Sequence, residues 1–471
     1  MTVMAHFSID VLITREGAGY RARVTRSLAG DGQSVAFDDP RTSLDLESFA
    51  PKADSLRART QRLESPPVAA AKQAGGWLFD AVFAGAVGEC LRRSLDRARR
   101  ERAPLRIRLQ LADCPELGVI PWELFYDRDN GWFPALSDHT PVIRYIQMPE
   151  EPRAVEVELP LRMLVIKSEP VDYPSLDLEA EWRQVAGTLA GLTDAGKLRC
   201  TELAEATLPE LRRALLRDTF HVLHYMGHGV FDQEHGAMLV FTNRAGNGLP
   251  VTGDDLNVLL LDHSSLRLAV INACETAHAS AAGPLTGVAD RLARAGVPAV
   301  VAMQFEVTDE AAAEFAPALY GALATGRPVD AAVAEARKAM FAINPIEWAA
   351  PVLCLRADDA RLFDVTPQAR GSAEASATGM SRAGTSWSAA IVGQRLAGQG
   401  RIVQVSDDTY QVEVVRRSFT LPVLVEMWAE SYEPCRQLNS ILERLAIDSA
   451  GAWVLAKVDV NANTEPFPTC S

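Results

Sequence analysis

The 471-residue sequence is short of several things, and each shortage removes a class of function. No apolar run reaches the roughly 18 to 20 residues that span a bilayer as a helix, so no membrane role is expected. The opening MTVMAHFSID has neither a basic stretch nor an apolar core, so no signal peptide is expected. Cysteine is sparse and odd in number: seven residues are scattered from Cys90 to Cys470 with no CxxC pair. That usage suits free thiols in a reducing cytoplasm and removes the common zinc and dithiol spacings. Surplus positive charge is absent as well. The formal net charge of -14 has the wrong sign for a phosphate backbone, and no nucleic-acid partner is expected. The densest basic run, RRSLDRARRER from Arg92 to Arg102, has the spacing of a solvated helix face.

What is present is ordinary for a globular protein. Hydrophobic residues make up 48% and charged residues 23%, and the length suggests two to four domains. Residues 1–150 open with the alternating stretches FSIDVLI and YRARVTRSL, then a helical pattern from Trp77 to Arg102, then the strand LRIRLQLA. EEPRAVEVELP reads as a connection. From Leu161 to about 365 short apolar strands alternate with helical patterns: LRMLVIKSEP, DTFHVLHYMGHG, SLRLAVINACET, VPAVVAMQFEV and WAAPVLCLR. This predicts an α/β fold, a mainly parallel sheet with helices on both faces. Residues 366–405, rich in small and polar types, read as a flexible linker, and a further module runs over 406–471.

In such a sheet functional groups gather beyond the carboxyl ends of the strands. Two predicted strands end in reactive residues, one in Gly227-His228-Gly229 and the other in Asn272-Ala273-Cys274-Glu275-Thr276. The glycines are expected to turn the backbone sharply and leave the imidazole reachable. His221, His224 and His228 stand at H-x2-H-x3-H spacing, but positions 221 and 224 face opposite sides of a strand. They are not expected to share a metal, and His224 reads as a packed histidine. His278 would approach the thiol if a helix began there.

These marks, with GPLTGVADRLARAGVPAVVA, FEVTDEAAAEFAPALYGAL and WAAPVL following in order, resemble the CHAT domain, a caspase-like cysteine peptidase module related to separases. The N-terminal LRIRLQLADCPELGVIPWELFYD resembles the segment that precedes this domain. The resemblance implies a caspase-like sheet over 161–365 and a dyad of His228 and Cys274. In that pairing the imidazole takes the thiol proton, the thiolate attacks a peptide carbonyl, and the amides of Gly229 and Cys274 act as oxyanion donors. FEVTDE resembles a separase segment whose acidic residue receives a basic side chain, which implies a pocket formed by Asp309 with Glu306 nearby. Phe305 stands where that family has tryptophan. The alternative for Asp309 is a plain helix N-cap.

The stretch SFTLPVLVEMWAESYEPCRQLNSILERLA, followed by AWVLAKVDVNAN, resembles an incomplete thioredoxin fold. Tyr432 occupies the place of the first thioredoxin cysteine, and only Cys435 remains, so a dithiol cycle is lost. A single cysteine there resembles thioredoxin-like co-chaperones that hold clients, with Cys435 left able to form a mixed disulfide. The expected function is therefore a cytoplasmic cysteine endopeptidase that cleaves a protein substrate, after a basic residue, under the control of a regulatory protein partner, with no cofactor. The alternative is an inactive caspase-like scaffold or client-binding protein carrying a co-chaperone-like tail.

Overall fold

The two alternating N-terminal stretches pair as an antiparallel hairpin, β1 (Phe7–Glu16) and β2 (Gly19–Arg26), with β3 (Ser34–Phe37) beyond it. A computed structural model describes residues 6–44, 66–111, 114–149, 152–232, 234–275, 286–305, 307–366, 402–405, 423–428 and 454–459, and the single positions 409, 414 and 442. The pattern expected as one helix from Trp77 is two helices, Pro66–Val82 and Gly85–Glu101, bent by 101°. Gly85 sits at φ +52, a left-handed conformation that cannot continue a helix. The basic run lies on the second helix, where Arg92 and Arg93 pair with Glu89 and Arg97 pairs with Glu101, as a solvated face predicts. No single helix among the described residues is long and apolar enough to cross a membrane.

β4 (Leu105–Gln110) runs parallel to β1, and β5 (Val142–Tyr145) runs parallel to β4. The N-terminal strands thus extend the same sheet that the later strands build. Those are β7 (Leu161–Ser168), β8 (Leu198–Glu202), β9 (Val222–Asp232), β10 (Gly236–Thr242), β11 (Gly248–Thr252), β12 (Leu268–Glu275), β13 (Ala299–Met303) and β14 (Pro351–Leu355). The order is β11-β10-β9-β12-β13-β14-β5-β4-β1-β2-β3, with β7 on β9 and β8 on β7. The sheet is mainly parallel at its centre, but β9-β10-β11 and β13-β14 are antiparallel. EEPRAVEVELP is more than a connection: β6 (Val155–Glu158) pairs with β15 (Phe363–Thr366) as a separate ribbon. Its alternating Val and Glu suit a strand buried on one side only.

Period-two alternation sorts the central strands onto two cores. Val222, Met226, Leu268 and Val270 pack with the helices Leu178–Asp194, Asp309–Leu323 and Val329–Ile343. Leu223, Tyr225, Ala269 and Ile271 pack with Leu208–Arg217, Gly253–Leu260 and Thr286–Ala295. Residues Met1–Gly371 form one compact unit and Ser372–Ser471 a second. In the second, β16 (Ile402–Val405), within the stretch expected as linker, lies parallel to β18 (Val454–Asp459), and so does β17 (Val423–Trp428). Glu426 and Lys457, both buried, are register partners there.

His221 and His224 occupy separate environments. His221 Nδ1 accepts from the Arg162 amide at 3.0 Å, whereas His224 Nδ1 lies 2.6 Å from the Tyr320 hydroxyl beneath the helix Asp309–Leu323. Burial pulls His224 from the ordinary 6.5 down to about 4. The unfolded chain therefore binds the extra proton first, and stability present above pH 6.5 is lost as pH falls toward 4. Urea unfolding across that window should show a slope of up to about 1.4 kcal/mol per pH unit from this group. His224→Gln, which keeps a polar partner for Tyr320 but does not titrate, should flatten the curve; an unchanged slope would refute the assignment.

Candidate functional site

β12 lies beside β9 and runs parallel to it, with Ala273 opposite Gly227, Cys274 opposite His228 and Glu275 opposite Gly229. Neighbouring strands are about 4.8 Å apart, and register partners share a face. Positions 228 and 274 are thus adjacent at the carboxyl edge, while the side chain of Cys274 lies outside the described residues. Asn272, two residues earlier, donates from Nδ2 to Glu181 of the helix Leu178–Asp194 at 2.6 Å, which ties this end of β12 down.

Gly227-His228-Gly229 does not end its strand, as expected from the sequence; β9 runs on to Asp232. At Gly227 it leaves β7, whose last partner is Ser168, and from Gly229 onward it pairs with β10. Gly227 makes the change of neighbour possible. Its φ is +155, and a Cβ there would lie 2.7 Å from the Ser168 carbonyl oxygen and 2.8 Å from the Tyr225 hydroxyl. The Tyr225 hydroxyl, 2.6 Å from Val240 O and 3.1 Å from His228 O, anchors the histidine backbone from the other core.

The imidazole is not reachable in this state, contrary to the reading of its flanking glycines. His228 is 0% exposed, with the Tyr173 ring packed on it at 5.2 Å between centroids. Its Nε2 lies 2.8 Å from the Pro174 carbonyl oxygen. A carbonyl only accepts, so this bond assigns the proton to Nε2 and leaves Nδ1 with the free lone pair. Nδ1 is buried and has no hydrogen-bond partner among the described residues. Burial lowers the His228 pKa, while the Pro174 bond and the Glu169 charge partly restore it. The result is a neutral, oriented base.

The remaining candidates fall as follows. Gly229 sits inside the ladder between Leu239 and Glu275. Asp309 opens the helix Asp309–Leu323, but the cap is Thr308, whose hydroxyl accepts from the Ala311 amide at 3.3 Å, so the N-cap alternative for Asp309 is wrong. Glu306, His278, Tyr432 and Cys435 lie outside the described residues. No group of three or more His, Cys, Asp or Glu that could hold a metal occurs among the described residues.

Sequence reasoning missed the polar frame around the strand end after β13. Gln304 accepts from Arg144 Nη2 at 3.1 Å and donates from Nε2 to Glu123 at 3.0 Å and to the Ala349 carbonyl at 2.8 Å. Glu347 receives the Thr308 amide at 2.9 Å and its hydroxyl at 2.8 Å. Residues 304 and 308, on either side of the segment that carries Glu306, are thereby fastened to buried carboxylates. The Pro174 contact was also missed: a backbone carbonyl leaves no side-chain signal.

A histidine and a cysteine in register at the carboxyl edge of a helix-covered sheet define an α/β protein with a candidate His–Cys centre. The CHAT domain family matches residues 72–356, more than half of the chain, and the chain belongs to that family. Among solved structures it is similar to the separase–securin complex of Saccharomyces cerevisiae, at 14% identity and a TM-score of 0.31, over 66% of this chain and 20% of that one. It is also similar to the Arg-specific cysteine proteinase gingipain R, at 12% identity and a TM-score of 0.37, over 59% of this chain and 70% of that one. Curated relatives include the thioredoxin of Acidithiobacillus ferridurans, 42% identical over 67 residues, and that of Mycolicibacterium smegmatis, 34% identical over 64 residues. Each match covers 14% of this chain, and the chain spans 60% and 55% of those two thioredoxins.

Proposed function

We propose that this chain is a cysteine endopeptidase in which His228 and Cys274 form the catalytic dyad. One observation carries the reading: the His228 ring, held by Pro174 through Nε2, keeps an Nδ1 with no partner among the described residues beside the register position of Cys274. Nδ1 takes the thiol proton, the thiolate adds to a peptide carbonyl, and the protonated ring gives that proton to the leaving amine. Water, activated by the same nitrogen, then hydrolyses the thioester. The amides of Gly229 and Cys274 are the proposed donors to the oxyanion. The substrate is a protein cut after a basic residue, received by Asp309 and Glu306. The zero exposure of His228 supports control by a protein partner that opens the site.

The same burial favours a second reading, an inactive scaffold whose thioredoxin-like tail binds clients. An activated-ketone peptide probe separates the two. Cys274 should be labelled by a probe with Arg or Lys before the ketone, and Asp309→Asn should cut that rate about tenfold or more, the scale of one charge-assisted hydrogen bond. Absence of Cys274 labelling, with Cys200 and the other thiols reacting normally in unfolded protein, would favour the scaffold.

A further inference from the structure

The proposed dyad assigns no role to the connection after β7 or to the hairpin turn after β10, yet the two segments are fastened to one another over His228. The connection begins at Glu169, whose Oε1 accepts from the Ser175 hydroxyl at 2.7 Å and the Leu176 amide at 3.0 Å, closing the segment into a loop. Across from it, Asn243 organises the turn by accepting from the amides of Ala245 at 2.8 Å and Asn247 at 3.1 Å. Two contacts then join loop to turn. The Val171 amide donates to the Gly246 carbonyl at 3.0 Å, and the Gly248 amide donates to Asp172 Oδ1 at 2.6 Å.

Gly248 is the critical position. A Cβ there would run into the Tyr173 ring and come within 3.1 Å of Val240 Cγ1, so only glycine lets the ring lie this low. The same ring covers His228, and the next residue, Pro174, supplies the carbonyl that holds Nε2. Turn, loop and histidine therefore form one continuous path of contacts.

Resting on the dyad reading, we infer that Asp172, Tyr173 and Gly248 are positioning residues: the β10–β11 turn clasps the β7 loop so that Tyr173 and Pro174 hold His228 in the Nε2–H tautomer with Nδ1 free. They act through His228. The clasp makes the state of the base depend on a surface turn 15 to 20 residues further along the chain, which a protein bound at that turn could tighten or release.

The test uses the full chain labelled with ¹⁵N-histidine, whose eight histidines keep the spectrum tractable. The wild type should show His228 as the Nε2–H tautomer, titrating below the ordinary 6.5. Tyr173→Phe keeps the ring and should preserve both signatures. Tyr173→Ala, Asp172→Ala and Gly248→Ala should mix the tautomers and move the titration back toward 6.5. On a cleaved peptide these three should lower kcat by up to about a hundredfold, as a displaced base does, with KM changed less than about threefold. A wild-type tautomer and titration in Tyr173→Ala and Asp172→Ala would overturn the clasp, whatever the activity. A shifted tautomer with unchanged Cys274 labelling would uphold the clasp and instead defeat the dyad. Asp172→Ala guards against the folding risk of Gly248→Ala, because it breaks the tie without adding an atom.

Discussion

On the proposed reading, Cys274→Ala is expected to reduce cleavage of a substrate protein to background, a loss on the order of 10⁴-fold or more in kcat. The substitution removes one sulfur from a strand whose backbone pairing with β9 and β13 is independent of that side chain. The unfolding midpoint should therefore stay close to that of the wild type. His228→Gln should abolish turnover comparably. Wild-type kcat/KM should rise with pH through an inflection below 6.5, because burial disfavours the charged imidazole and only the neutral ring can accept the thiol proton. Cleavage that persists in purified Cys274→Ala would sink the assignment. An inflection at or above 6.5 would contradict the buried, neutral state of His228.

The second large effect concerns stability. Glu123 is 0% exposed, and Arg144 meets it through Nε at 3.2 Å and Nη2 at 3.0 Å. Arg144 also donates to the Ile120 carbonyl at 3.0 Å and to the Gly118 carbonyl at 2.5 Å. Glu123→Ala leaves the Arg144 guanidinium buried beside two carbonyls and takes an acceptor from Gln304, so the loss should be about 3 to 5 kcal/mol. Urea denaturation measures it directly. Combining Glu123→Ala with Arg144→Met removes both charges, and the pair should fall short of the sum of the single losses by more than about 1 kcal/mol. A loss below about 1 kcal/mol for Glu123→Ala would mean that water or another cation already compensates the pair.

Glu123 and Arg144 come from the region preceding Leu161, and Gln304 from the loop after β13. The family match begins at residue 72, well before the strands that carry His228 and Cys274, and so includes Glu123 and Arg144. The N-terminal segment supplies part of the frame for the strand end, and β5 lies directly beside β14 in the sheet.

The central strands and most of the helices were legible in the sequence because burial writes itself as periodicity. Val222, Leu223, Met226 and Leu268 to Ile271 are buried on one face or the other and had to be apolar whichever neighbour they met. Thr207 caps its helix as the pattern TLPE implies. His228 and Cys274 stood out only as members of an ordered motif series, since a lone cysteine after a strand is commonly a small buried residue; the register of β9 and β12 sets the two positions side by side. β8 and the β10–β11 hairpin were not, because short strands in half-polar stretches carry little periodic signal. Chain composition and local spacing determined an α/β sheet with a histidine and a cysteine at its carboxyl edge. Only the tertiary structure decided that β9 continues past Gly227, that Tyr173 and Pro174 close over His228, and that Glu123 reaches Gln304. Each of those depends on contacts between residues far apart in the chain, several through backbone atoms that every residue type shares.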